Sequence, residues 1–285
     1  MRVELILLAL SPIFFVFIVF EFIKFRRYYE VKDSLANTML ALMHQLSDAL
    51  SVLLLLPFFY WLHQYSLFSI DLNPFTIFIA FILQDFLYYW FHRASHHIHW
   101  FWAAHVVHHS SKNMNFTTAF RQSIFYPVVG MWLFWLPMII IGFEPRFMIM
   151  VVGINLAYQF FIHTQIVGRL GWLEYLFNTP SHHRVHHAIN KGYIDKNFAG
   201  VLIVWDKLFG TFAQERDKDQ NQYGIMGDCD STNPWTISVM QWRIMLTQFN
   251  SATHLKEKLK VVFGYPSHLV KTKNKKSMYK PRPDR

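Results

Sequence analysis

The chain has 285 residues, 53% of them hydrophobic and only 16% charged, and a formal charge of +9. A soluble domain carries about a quarter charged residues, so this composition excludes an ordinary soluble enzyme and a disordered chain. The single cysteine, Cys229, excludes intramolecular disulfides, cysteine-rich zinc modules and thiolate-ligated iron–sulfur clusters.

Apolar runs of about 20 residues can cross a bilayer as helices. The first runs from about Leu5 to Phe25 and has no small-residue cleavage site, so it reads as an anchor. The second runs from about Leu40 to Leu62, with His44 and Asp48 near its start, and the third from about Phe75 to Phe91. A fourth and a fifth, about Ile124–Phe143 and Phe147–His163, are separated by a turn at Gly142–Pro145. Lys24, Arg26, Arg27 and Lys32 follow the first run, whereas the loop between the second and third has no Lys or Arg. The positive-inside rule puts the Lys24–Lys32 loop in the cytoplasm. Counting crossings then places the end of the third run, the end of the fifth and everything after Ile166 on that same face. From Lys256 onward ten Lys/Arg stand against Glu257 and Asp284, leaving the rest of the chain nearly neutral. Such a tail suits anionic lipid head groups or a solvated, disordered segment equally well, and it carries no nucleic-acid-binding module.

Twelve of the sixteen histidines map to that one face. Seven lie between His92 and His109, His163 ends the fifth run, and four lie in Ser181–His187. His92 and His96 are spaced i, i+4; His105, His108 and His109 are spaced i, i+3, i+4, and His183, His186 and His187 repeat that pattern. Residues three and four apart share a helix face, so each cluster can aim two or three imidazoles at a common point. These eight with His163 give nine ligands for two ions, and His182, four residues before His186, is the candidate tenth. Neutral imidazole binds iron, zinc and copper. Iron is the ion that activates oxygen at such a site; zinc lacks redox chemistry but binds more tightly than ferrous iron, so purified samples can contain it. Ligand histidines usually donate their other N–H to a carboxylate or carbonyl. Asp85 and Asp195 are the candidate acceptors, with Glu174 as a further one. Asn115, Arg121 and Gln122 follow the second cluster on the active face and are candidates for a cap and a polar head-group contact, although Arg121 could simply mark the membrane boundary.

The boxes His92-Arg-Ala-Ser-His96, His105-Val-Val-His108-His109 and His183-Arg-Val-His186-His187 resemble those of the fatty acid hydroxylase and sterol desaturase superfamily. Within it, Trp102–Ser111, Asn115–Ser123, Ile162–Thr164, Asn178–His187 and Ile194–Phe212 resemble the alkylglycerol monooxygenase branch. The resemblance implies a membrane-bound non-haem di-iron oxygenase that uses O2 to hydroxylate a lipid C–H bond, next to an ether oxygen in that branch. Sterol, fatty-acyl or carotenoid hydroxylation or desaturation is the alternative. It implies an external electron donor, tetrahydrobiopterin in the animal enzymes of the branch, since no glycine-rich nucleotide fingerprint follows a strand here. A metal transporter or store would instead need ligands at membrane mid-depth.

The expected fold is thus all-α: a polytopic membrane helical bundle of about four to five spans with a cytoplasmic helical cap carrying a histidine-rich dinuclear site. The expected organisation is N-terminal membrane spans over 1–70, a catalytic core over 71–213, and a polar loop, peripheral helices and basic cytoplasmic tail over 214–285. The expected location is a bacterial inner membrane.

Overall fold

The structure is a computed structural model that describes residues 6–216, 220–227, 231–271 and 277–281. Cys229 lies outside the described residues, as does part of the basic tail. Helix α1 (Ile6–Lys24) leads through a 3-10 turn (Arg26–Tyr28) into α2 (Val31–His63). Helix α3 (Pro74–His97) is followed by α4 (His99–His109), and α7 (Pro145–Ile162) comes after a set of shorter pieces. Among the described residues three helices, α2, α3 and α7, are long and apolar enough to cross a membrane. Local sequence sets where they start. Asn73 caps α3 by accepting from Phe75 N and Thr76 N, with Pro74 at the first position, and Glu144 caps α7 by accepting from Phe147 N.

At 1.5 Å per residue, the 33 residues of α2 reach about 50 Å, well beyond a hydrocarbon core of about 30 Å. The excess stands in the cap. Asp33, Ala36, Asn37 and Leu40 are buried there, while Leu42, Leu46, Leu50, Leu53 and Leu54 remain exposed along the part that faces lipid.

The expected fourth span is not one helix. It is broken into α5 (Tyr126–Val129), a 3-10 turn (Met131–Trp135) and α6 (Leu136–Ile141). Pro127 and Pro137 each remove a backbone donor, and Gly130 takes a left-handed conformation at φ +86° that a side chain would strain. The broken segment still passes from the histidine end to the far end, where Leu67 N and Phe68 N donate to Ile140 O and Ile141 O. Irregular backbone at membrane depth survives only where protein covers it, and here Trp135, Met138 and Ile139 are buried in one apolar core with Phe59 of α2, Tyr88 and Phe91 of α3, and Met148 and Val151 of α7.

Beyond α7 lie α8 (Pro180–His187), α9 (Val204–Leu208), α10 (Pro234–Ser251) and α11 (Leu255–Phe263). Helix α10 buries Ile237, Ser238, Gln241 and Met245 and packs on α4. The architecture is helical throughout except for an antiparallel hairpin, β1 (Ser267–Lys271) and β2 (Ser277–Pro281), in the basic tail.

Candidate metal centre

The C-terminal turns of α3, the length of α4, the end of α7 and the short α8 meet at one end of the bundle. They gather nine buried histidines into two groups: His92, His96, His105, His109 and His186, and His108, His163, His183 and His187, with ligand atoms inside each group within 4.8 Å of one another. The helical boxes split between the groups by a simple rule. Pairs spaced i, i+4 stay together (His92/His96, His105/His109, His183/His187), and the i+3 member, His108 or His186, turns to the other group. His108 and His109, like His186 and His187, are chain neighbours serving different groups.

The rings are held from behind. His92 Nδ1 meets Phe198 O at 2.8 Å, His108 Nδ1 meets Arg121 O at 3.3 Å, His163 Nδ1 meets Gln159 O at 2.6 Å and His186 Nδ1 meets Lys196 O at 2.9 Å. A carbonyl oxygen only accepts, so Nδ1 carries the proton in these four rings and Nε2 is left as a bare lone pair. His96 Nδ1 meets Asp195 Oδ1 at 3.3 Å and His105 Nδ1 meets the Tyr126 hydroxyl at 2.8 Å. The Nε2 atoms point inward. His163 Nε2 lies 3.1 Å from His108 Nε2 and 2.8 Å from His183 Nε2, and His92 Nε2 lies 3.0 Å from His105 Nε2.

The His108–His163 contact decides what the cavity fits. Both rings carry their proton on the far nitrogen, so two lone pairs face each other across 3.1 Å in a dry interior. Extra protons cannot relieve this repulsion at ordinary pH. Burial, followed by the neighbouring imidazoles, holds His109, His183 and His187 well below the usual histidine range; burial followed by His163 does the same for His108, and burial brings His163 down to about 3. A metal cation in each group would satisfy the inward lone pairs, and nine nitrogen donors with no thiolate form a set that suits a borderline divalent metal.

His182 falls outside both groups: its ring packs against Phe212 and its Nε2 lies 4.0 Å from Glu174. It is one residue round the helix from His183 and so points away from the metal groups. Glu174 itself accepts from Ser181 and Thr179 at the start of α8. Asp85 touches no histidine. It accepts from Val201 N, Leu202 N, Trp205 Nε1 and Asn155 Nδ2 at 2.8–3.0 Å and thereby fixes the segment that follows Phe198. Asp195 does meet His96, and it also accepts from the Tyr265 hydroxyl.

The head-group candidates have internal partners. Arg121 is 1% exposed and donates to Asp33, Asn37, Val107 O and Ser110. Asn115 is buried, donates to Tyr28 O and caps the 3-10 turn Phe116–Phe120. Gln122 donates to Ala119 O. Polar side chains in a cap that rests on the membrane must be paired inside it; Arg121 ties α2 and Asn115 ties the α1–α2 turn to the metal end, while the Gln122 bond is local. His99 is structural as well, set between Val261 O and Gln241.

Several contributors carry no mark in the sequence. Asp206 accepts from Phe198 N and Ala199 N at 2.8 Å and from Thr211 Oγ, and burial raises its carboxyl to about 6. It holds the loop whose carbonyl orients His92. Asp195 and Asn197 adopt left-handed backbone at φ +57° and +58°, a strain that sets the turn presenting Lys196 O to His186. Glu21, buried in α1, accepts from Tyr29, Phe116 N and Thr164 and so joins the first helix to this end.

Residues 77–211, which include all nine histidines, match the family model described as fatty acid hydroxylase. That segment is similar to fatty acid hydroxylases. It is 40% identical over 210 residues to the alkylglycerol monooxygenase of Homo sapiens, covering 73% of this chain and 46% of that protein. It is 40% identical over 194 residues to the alkylglycerol monooxygenase of Xenopus tropicalis, covering 68% of this chain and 43% of that protein. An ornithine lipid hydroxylase of Rhizobium tropici is 24% identical over 153 residues, covering 54% of this chain and 46% of that protein. The chain thus spans less than half the length of these relatives. No solved structure matches it.

Proposed function

We propose that the chain is a membrane-bound di-iron monooxygenase that hydroxylates a lipid C–H bond with O2, and that its substrate is an ether lipid of the alkylglycerol kind. The observation that carries the reading is the facing pair of bare imidazole nitrogens, His108 and His163, within a nine-histidine double cage. The names of the alkylglycerol monooxygenase relatives support the choice of substrate.

His92, His96, His105, His109 and His186 would hold one ion and His108, His163, His183 and His187 the other. Two iron ions supply reductive activation of oxygen when bound. The chain fixes the tautomer and direction of the rings through Phe198 O, Arg121 O, Gln159 O, Lys196 O, Asp195 and Tyr126. The cap buries all nine imidazoles and so keeps bulk water from a reactive centre. The overall balance is R–CH2–O–R′ plus O2, two electrons and two protons, giving R–CH(OH)–O–R′ plus water. The hemiacetal then breaks its C–O bond to release the aldehyde R–CHO and the alcohol R′–OH. The two electrons come from an external donor, a reduced pterin such as tetrahydrobiopterin or an iron–sulfur protein. The cage faces the cytoplasm of a bacterial inner membrane in this reading, since Lys24, Arg26, Arg27 and Lys32 flank the turn that Asn115 ties to the histidine end.

The test is to supply iron-loaded protein in nanodiscs with 1-O-hexadecylglycerol, oxygen and either donor, and to look for hexadecanal. Under 18O2 the intermediate hydroxyl carries the label, which is read as labelled alcohol after immediate borohydride trapping. Hydroxylated lipid without aldehyde would replace ether cleavage by simple hydroxylation, and absence of both with either donor would sink the oxygenase reading.

A further inference from the structure

Outside the histidine cage, a cavity of about 150 Å3 lies between α2, the broken segment and α7. Its apolar wall includes Leu55, Phe59, Trp132 and Ile149, and its polar lining includes Asp48, Ser51 and Tyr126. Ser51, Val52, Leu55, Leu56, Ile149 and Val152 are half-buried, next to the exposed Leu50, Leu53 and Leu54 on the same helix. The cavity is therefore a groove that opens sideways onto the lipid-facing surface.

Its two ends differ. Asp48 is a carboxylate within a membrane-spanning helix, where ionisable groups are costly and mark functional sites. It is 46% exposed, and His44 Nε2 lies 3.3 Å away while the other ring nitrogen of His44 meets Ser123 O. The His44 ring meets the Tyr126 ring edge-on at 5.7 Å, so Asp48 and Tyr126 stand at the same level. Tyr126 closes the groove there and touches His105 through its hydroxyl. From Asp48 to Phe59 the helix rises about 16 Å away from this polar end. A ligand seated in the groove with its polar group at Asp48 has its chain running toward Phe59, and Tyr126 stands between its polar end and His105.

We propose that this groove admits the substrate from the bilayer as a single alkyl chain with a neutral, hydroxylated head group, and that Asp48 and Ser51 hold that head group. The Asp48 carboxyl and the Ser51 hydroxyl both accept hydrogen bonds, so a head group that carries hydroxyl donors suits this end. The inference rests on the oxygenase reading for its reaction, but the groove and its head-group contact can be tested by binding.

The experiment uses the iron-loaded full chain in nanodiscs with a 1-O-alkylglycerol bearing a diazirine at the chain end. Photolysis should label peptides containing Leu55–Phe59, Trp132 or Ile149, and Leu55→Trp should abolish that label without changing metal content. With 1-O-hexadecylglycerol, Asp48→Leu should raise KM about tenfold with little change in kcat, the loss expected when hydrogen bonds to a polar side chain are removed. Hexadecyl methyl ether, which lacks the hydroxyls, should bind wild type and Asp48→Leu alike. Groove labelling without turnover would overturn the oxygenase reading and leave the binding site standing. Labelling elsewhere, or an unchanged KM in Asp48→Leu with active enzyme, would overturn the groove proposal alone.

Discussion

Replacing Arg121 by Met gives the sharpest test of how the cap is held. Its guanidinium pairs with Asp33 at 3.0 Å and donates to Asn37 Oδ1 at 2.8 Å, Ser110 Oγ at 2.8 Å and Val107 O at 3.1 Å. Asp33 is 7% exposed, so without its cation the carboxylate remains buried with only Ser111 and Asn37 as donors. Removing one partner of a buried pair costs about 3–5 kcal/mol. At about 2–4 °C per kcal/mol for a chain of this size class, the melting temperature falls by about 6–20 °C. The assay is thermal unfolding of detergent-solubilised protein, followed by tryptophan fluorescence. The double variant Asp33→Leu/Arg121→Met removes the stranded charge and should regain most of the loss, because an apolar pair of similar volume is often neutral or stabilising. A melting temperature within about 1 °C of wild type for the single variant, with a raised KM for lipid, would refute the structural assignment and return Arg121 to a head-group role.

Metal analysis should find two ions per chain, and His186→Ala or His163→Ala should each remove one ion from its own group; loss of both from either variant would mean that the groups are not separable. Tyr126→Phe removes the oxygen that meets His105 and should weaken metal binding about 10–100-fold in chelator competition; unchanged affinity would dismiss that contact. The metal-free protein should lose stability as pH falls. Histidines whose folded pKa is depressed stabilise the fold above the unfolded value of about 6.5, and each buried ring outside the spans contributes up to about 1.4 kcal/mol of loss per pH unit below it, down to the folded value, about 3 for His163. Melting curves from pH 7 to pH 4 with and without metal check this, and a flat metal-free profile would contradict the neutral cage. Gly200→Ala places a methyl 2.7 Å from Asn155 Oδ1 and 2.9 Å from Asp85 Oδ1, so it should cost about 1–3 kcal/mol in thermal unfolding; wild-type stability would show that the 199–205 segment gives way freely.

The nine histidines were legible because helical spacing and membrane topology both point them at one place. What spacing could not tell is which ion each serves: a helix face broad enough for i, i+3 and i+4 was read as aimed at one point, whereas the structure parts His108 from His105 and His109. Asp85 stands out as a charge inside a span, but its partners are the backbone N–H groups of Val201 and Leu202 and the side chains of Trp205 and Asn155, all 70 or more residues away, which no local pattern predicts. The carbonyls of Phe198, Lys196 and Gln159 are illegible for the same reason, since every residue has one. His182 matched the spacing rule and failed on rotation. Arg121 reads as a head-group contact or a membrane-boundary cation because its partner, Asp33, lies 88 residues earlier, ahead of the second apolar run. The broken segment 126–141 has the composition of a span, and only Pro127, Gly130 and Pro137 hint that it is not one helix.

The order of ligands along the chain has a consequence for biogenesis. Each group takes its final nitrogen from α8, His186 for one and His187 for the other. A nascent chain that ends after α7 lacks the last histidine of either group, and the residues that orient His92, His96 and His186 (Phe198, Asp195 and Lys196) come later still. Neither group would therefore be complete and oriented until the 195–198 segment has folded over it.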